Sequence, residues 1–218
     1  MTGVEVPDFH TLRNSRRSSF DISVYNSAVD TDRFHTMVRH LSNLSIQAQP
    51  TSFHRFLDGL AQNGCPLRHY TQIIDCIEYR LPDLWEKTVQ LHGRIDEAMC
   101  QYCGWNGSFV PDFFCGSHLR DCNRCSENAL ERKRIGKRRR GIGRLRPNIV
   151  LTEKKTLWAV KLENWRSKIW RQIQKFSFVV GRTLKVPEAR RLVTEICRAA
   201  KAQGGSTVWI NNSHHHLV

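Results

Sequence analysis

The chain has no run of about eighteen apolar residues, the length a helix needs to cross a bilayer, so no membrane span is expected. Acidic residues are scarce: 20 Asp and Glu stand against 34 Lys and Arg, a formal net charge of +14. That balance excludes an acidic surface and favours acidic partners, nucleic acid and chromatin among them. The N-terminus, Met-Thr-Gly-Val-Glu-Val-Pro-Asp, lacks the basic start and apolar stretch of a secretory signal. The 8 cysteines are therefore expected as reduced thiols and metal ligands, not disulfides. Internal repeats are missing as well, and the one biased tract is basic. What remains is ample for a core: 40% of the 218 residues are apolar.

The cysteines carry the sharpest signal. Cys100-x-x-Cys103 and Cys122-x-x-Cys125 are two CxxC pairs with 18 residues between them, the spacing of a four-thiolate zinc site. Cys115 and His118 fall between the pairs, but two pairs already complete a tetrahedron. Cys65, Cys76 and Cys197 sit in apolar contexts and are expected as core thiols. Just before the first pair, Leu91-His92-Gly93 ends a short apolar run with a lone His. Such a His is by default structural, and beside a cleft it is a candidate base. Arg132 to Arg146 concentrates Arg132, Lys133, Arg134, Lys137, Arg138, Arg139, Arg140, Arg144 and Arg146. This run reads as a solvated loop, an import signal or a phosphate-contacting patch.

Periodicity orders the rest. Residues 1–30 read as loop anchored by Phe20 and Tyr25. A helix follows from Thr31, with Phe34, Met37, Val38, Leu41 and Leu44 on one face. Thr51 caps a second helix, with Phe53, Phe56, Leu57 and Leu60 inward and Gly64 at its end. Leu67–Ile74 and Thr88–Leu91 read as strands, and 93–130 as a loop-rich module held by metal. Pro147–Leu151 resumes a buried strand, followed by a helix through Leu162, Trp165, Ile169, Ile173 and Phe176. Phe176–Val180, a helix from Pro187 with Leu192, Val193 and Ile196 inward, and Thr207–Ile210 form a β-α-β crossover. The expected fold is α/β: a parallel sheet split in sequence by a metal-bearing insert.

Six motifs occur in order: Pro7-Asp8-Phe9, Tyr70-Thr71-Gln72-Ile73-Ile74-Asp75, Leu91-His92-Gly93, the two CxxC pairs, Leu145-Arg146-Pro147-Asn148-Ile149-Val150 and Val179-Val180-Gly181-Arg182-Thr183-Leu184. Together they resemble the sirtuin family of NAD-dependent protein deacylases, most closely fungal nuclear sirtuins that act on histones. The resemblance implies a Rossmann-like parallel sheet, incomplete at its N-terminus, with an inserted small zinc-ribbon domain: an NAD-binding domain from 1–92 and 146–212, a zinc-binding small domain with the basic run at 93–145, and a disordered tail at 213–218. It implies that NAD, as co-substrate, accepts the acyl group of a lysine onto ADP-ribose while nicotinamide leaves. His92 then matches the general base acting on the NAD ribose. Gln72 and Asp75 match the pair orienting the nicotinamide ribose, Asp8 and Phe9 the cofactor loop. Gly181 and Thr183 face the cofactor's phosphate and ribose, and Asn211 its adenine ribose. Cys100, Cys103, Cys122 and Cys125 match ligands of a structural zinc. The implied partner is acetylated lysine in a histone or similar protein, the implied place is the nucleus, and the run 132–146 is a possible chromatin contact.

The chain also departs from the family pattern. The family's Gly-Ala-Gly-Ile-Ser turn, whose amides hold a pyrophosphate, has no counterpart in Met1–Val4, so an N-terminally truncated chain is expected. Ile73 stands where the family has an Asn, and Ile offers no hydrogen bond. His10 replaces an Arg, Arg182 displaces the Thr of Gly-Thr-Ser, and Thr152-Glu153-Lys154-Lys155 replaces the substrate loop. The alternative reading is a catalytically impaired sirtuin-like protein that keeps zinc and chromatin binding.

Overall fold

A computed structural model describes residues 20–65, 68–151, 176–181 and 187–210. The chain divides into two compact units, Met1–Thr152 and Glu153–Val218. Each is an α/β unit containing one pair of parallel strands.

In the first unit, helix α1 (Ala28–Gln47) starts where the Ser27 side chain accepts the Asp30 amide. Its apolar stripe buries Phe34 and Val38 against Ile95, Ile149 and Leu151, with Met37 and Leu41 half-covered. Leu44, expected on that stripe, is exposed. Helix α2 (Ser52–Gln62) opens with Thr51 as its cap, as its sequence predicts. The box partner is unusual. The Thr51 amide donates to Nδ1 of His54 at 3.2 Å, and the His54 amide donates back to Thr51 Oγ1 at 3.4 Å. Leu57 and Asp58 form the buried face, whereas Phe53 and Phe56, expected inside, stack on each other in solvent. The reason is polar: Asp58 accepts the Leu84 amide at 3.0 Å and the Gln62 amide group at 2.7 Å. It thereby caps the short helix α3 (Pro82–Lys87), whose own preceding residue supplies no cap.

The expected strand Leu67–Ile74 shrinks to β1 (His69–Thr71). It pairs in parallel with β2 (Thr88–Gln90), in the register His69↔Thr88 and Thr71↔Gln90. The cysteine region is not loop-rich throughout. β3 (Gly93–Cys100) runs for eight residues, flanked by β4 (Asn106–Ser108) and β5 (Leu145–Ile149), both antiparallel to it. Helix α4 (Asn123–Arg134) carries the second cysteine pair and the start of the basic run. His35, fully buried on α1, donates from Nδ1 to the Gly116 carbonyl at 2.9 Å and sits edge-on to Phe114. That contact ties α1 to the segment between the cysteine pairs.

In the second unit, β6 (Phe176–Val180) and β7 (Ser206–Ile210) pair in parallel around α5 (Pro187–Ala202), the expected crossover. Leu192 is buried, with Val193 and Ile196 half-buried. The helix through Leu162 and Trp165, and the tail at 213–218, lie outside the described residues. No described helix is long and apolar enough to cross a membrane.

Replacing Asp58 with Ala leaves the buried Leu84 amide without its acceptor. The expected loss is about 2 kcal/mol in urea unfolding, against no more than a few tenths for the exposed Phe56→Ser.

Candidate functional site

Two centres form within the first unit. The first is a cluster of thiols. β3 delivers Cys100 at its end, and the turn after it delivers Cys103, closed by the Gly104 amide donating to the Cys100 carbonyl at 3.0 Å. Cys122 sits at the cap position of α4 and Cys125 lies in its first turn. The Cys122 amide donates to the Gly143 carbonyl at 2.8 Å, which brings the two halves together. Gly143 is required there: a Cβ would stand 2.5 Å from Cys100 Sγ.

The four sulfur atoms lie within 4.8 Å of one another, with Cys100–Cys125 at 3.8 Å and Cys103–Cys122 at 3.7 Å. Four thiolates at a Zn–S distance of about 2.3 Å in a tetrahedron stand about 3.8 Å apart, so the cluster fits zinc. Burial raises the Cys122 and Cys125 thiols above their ordinary range. A divalent cation removes that penalty by replacing the protons. With four sulfurs the coordination is closed, so such an ion holds structure and activates no water. Cys115 is exposed, in hydrogen-bond contact with Arg39 and the Pro111 carbonyl, and outside the cluster.

The second centre lies at the carboxyl ends of β1 and β2, where parallel sheets bind ligands. Gln72 follows β1 directly, and Leu91-His92 follows β2. The Leu91 amide donates to the Thr71 carbonyl at 2.8 Å, setting the two ends side by side. The His92 carbonyl accepts the Val150 amide at 2.8 Å. Gly93 has φ +84°, and a Cβ on it would stand 2.1 Å from the Asn148 carbonyl oxygen. His92 is half-buried and is thus held by backbone on both sides. Beyond Gln72, the Ile73 amide donates to Thr71 Oγ1 at 3.1 Å, while the Ile73 side chain is 54% exposed. The Asp75 carboxylate accepts the Ile77 amide at 3.3 Å, opening a 3-10 turn, Ile77–Arg80. Between them, Cys76 has φ +56° and is the only described non-glycine residue in that region. Its thiol donates to Asp96 Oδ1 at 3.3 Å. Burial and that carboxylate push it up to about 12. Asp96 in turn accepts two bonds from Arg94, at 2.9 and 2.7 Å.

Gly181 ends β6 in the second unit, its amide donating to the Ile210 carbonyl at 2.8 Å. Asp8, Phe9, Thr183 and Asn211 lie outside the described residues. Of the expected core thiols, Cys76 is buried, Cys197 half-buried and Cys65 exposed. Sequence reasoning missed buried Glu78 and the half-buried His54 and His69 beside it. Only His54, placed three residues after a helix-capping Thr, carries a readable signal.

A parallel strand pair with polar groups at its carboxyl end, in the same unit as a closed four-thiolate module, defines an α/β protein with a structural metal site. The Sir2 family pattern matches residues 11–187, and the chain belongs to that family. It is 33% identical over 241 residues to the NAD-dependent protein deacetylase hst4 of Emericella nidulans, covering 97% of this chain and 40% of that protein. The hst4 deacetylase of Schizosaccharomyces pombe is 33% identical, covering 93% and 51%. The chain thus spans about half the length of these relatives. Among solved structures, Sir2Tm bound to a propionylated peptide superposes with a TM-score of 0.64 at 23% identity, over 96% of this chain and 76% of that one. A mutant Sir2 homologue in complex with ADP-ribose gives 0.65 at 18%, over 97% and 73%. These likenesses bear out the α/β fold with its zinc ribbon.

Purified protein is expected to carry one zinc per chain by elemental analysis. Cys100→Ser lowers that content and melts the module, whereas Cys115→Ser leaves it at the wild-type value.

Proposed function

We propose that the chain is the working region of an NAD-dependent protein-lysine deacetylase. The observation that carries this reading is the juxtaposition of Gln72 and His92 at adjacent parallel strand ends, in a Sir2-family chain whose relatives bear that name. When bound, NAD would supply the ribose carbon for the acyl oxygen, with nicotinamide as the leaving group. His92 withdraws a proton from the ribose hydroxyl, a step suited to an imidazole because its ordinary pKa lies near neutrality. Gln72 and Asp75 orient that ribose. By resemblance to the family, Asp8, Phe9, Gly181, Thr183 and Asn211 would serve the remainder of the cofactor. Residues 1–92 and 146–212 act as the NAD-binding domain, and 93–145 as the small domain that zinc holds in shape.

The substrate in this reading is an acetylated lysine of a histone, and the site of action is the nucleus. Support comes from the fungal relatives, one of which is the NAD-dependent histone deacetylase HST4 of Saccharomyces cerevisiae, 28% identical over 95% of this chain. The basic segment 132–146 serves as the chromatin contact. Lys133, Lys137, Arg138, Arg139 and Arg140 are all exposed, and Arg132 Nε donates to the Arg138 carbonyl at 2.8 Å, closing the segment into a loop.

A second reading, a sirtuin-like protein that binds zinc and chromatin without turnover, is favoured by Ile73. That side chain puts an apolar group where Gln72 and Asp75 flank the bound cofactor, and it makes no hydrogen bond.

With NAD and an acetylated histone peptide, the first reading expects nicotinamide release that His92→Ala lowers by about a hundredfold or more. Release equal in both proteins sinks it. Zinc-loaded protein that shows no heat of NAD binding in calorimetry supports the second reading.

A further inference from the structure

We propose that Glu78 is a positioning residue for His92 and Gln72, and that a single buried carboxylate clamps the three segments bearing the candidate site. This rests on the deacetylase reading for its consequence in turnover, and on geometry for the clamp itself. The Glu78 side chain is 2% exposed. Three groups from three elements converge on it. His54 Nε2, from α2, stands 4.0 Å from Oε1; His69 Nδ1, from β1, stands 3.9 Å from the same oxygen; Gln90 Nε2, from β2, donates to Oε2 at 3.3 Å.

Donor accounting shows which atoms carry the protons. The Thr51 amide must donate to His54 Nδ1, so in the neutral ring the hydrogen lies on Nε2, facing Glu78. The Thr88 hydroxyl donates to the Leu84 carbonyl at 2.8 Å. It can therefore only accept from His69 Nδ1, at 3.1 Å, so the Nδ1 hydrogen of His69 goes to Thr88 and the ring edge stands beside Glu78. Burial holds His69 down to about 4, which keeps it neutral. Gln90 donates to the carboxylate, and the two rings stand against its other oxygen at 4.0 and 3.9 Å. Burial pushes the Glu78 carboxyl above the ordinary range and the Asp75 charge adds to that, while its own backbone, His54 and the Gln90 amide pull it down.

The clamp acts at short range. His69 and Thr88 are register partners, so their side-chain bond fixes the pairing of β1 with β2. Gln72 lies three residues beyond His69, His92 two beyond Gln90, and Asp75 three before Glu78. A slip in any of the three segments displaces one side chain of the site relative to the others. Glu78→Gln puts an amide N–H₂ where one carboxylate oxygen stood, against either the Gln90 N–H₂ or the two ring edges.

Glu78→Gln and Gln90→Met test this in the full zinc-loaded chain, with turnover and backbone amide exchange read in parallel. Expected are a fall in kcat of about tenfold or more with KM for NAD within about threefold, and exchange at the Leu91 and Val150 amides faster by about tenfold. Exchange at the Ser126 amide, in α4 beside the thiol cluster, stays at the wild-type rate. Wild-type kcat in both variants overturns the proposal, as does an equal acceleration at all three amides, which marks uniform loss of stability. Should Glu78→Gln fail to fold, Gln90→Met, which removes one donor from one strand, decides alone. A wild-type chain that releases no nicotinamide defeats the deacetylase reading only, and the amide pattern still judges the clamp.

Discussion

Two sheets share one peptide stretch, and everything around the candidate site depends on how closely they approach there. The Leu91 amide donates into the parallel pair, the His92 carbonyl accepts from Val150 just past β5, and Gly93 opens β3. Gly93 faces Ile149 at one end of the β3–β5 ladder, and Cys100 faces Leu145 at the other. A side chain at Gly93 would strike the Asn148 backbone, which a rotamer change cannot relieve. The approach that sets His92 is therefore made in the same ladder that delivers the first metal ligand. The metal cluster and the strand-end centre are mechanically one object within this unit, although no zinc ligand belongs to the strand-end centre.

Charge is organised around α4. Thiolates at Cys122 and Cys125 sit at the positive end of the helix, where unpaired amides and the macrodipole favour anions. Arg132, Lys133 and Arg134 occupy its last turn, where cations are favoured. Arg134 is partly neutralised by Glu131 at 2.8 Å, and the basic residues after it are exposed. One helix thus accommodates opposite charges at its two ends, so a basic surface of this density imposes little strain on the module that carries it.

The sequence disclosed the metal site almost entirely, because ligand spacing is a local property. It disclosed the β-α-β unit for the same reason: apolar runs, Pro187 and Gly204-Gly205 mark its boundaries without outside help. It misplaced Phe53 and Phe56, since a helical period identifies an apolar stripe but not whether buried Asp58 will rotate that stripe outward. It misread 93–130 as loop because β3 alternates weakly: Arg94, Asp96 and Glu97 are occupied with one another and with Asn148 instead of facing water singly. Glu78 was invisible for a deeper reason. A buried carboxylate is recognisable only once three polar side chains from distant positions converge on it, and no spacing rule encodes that convergence.

The substitution at Ile73 shows why a retained fold and a retained activity are separate matters here. The Ile73 backbone is fixed from outside its own side chain, through the Thr71 hydroxyl, and the side chain points largely into solvent. The next peptide is fixed the same way, the Ile95 amide donating to the Ile74 carbonyl at 2.9 Å. Nothing in the packing of the loop asks for a polar group at position 73. Ile73 therefore leaves the backbone that carries Gln72, Asp75 and His92 standing, and its side chain offers no hydrogen bond to anything beside it. The fold makes no demand on position 73 that a stability measurement would reveal. Chemistry measured at Ile73, rather than stability, is what separates an active member of the family from one that has kept only its shape.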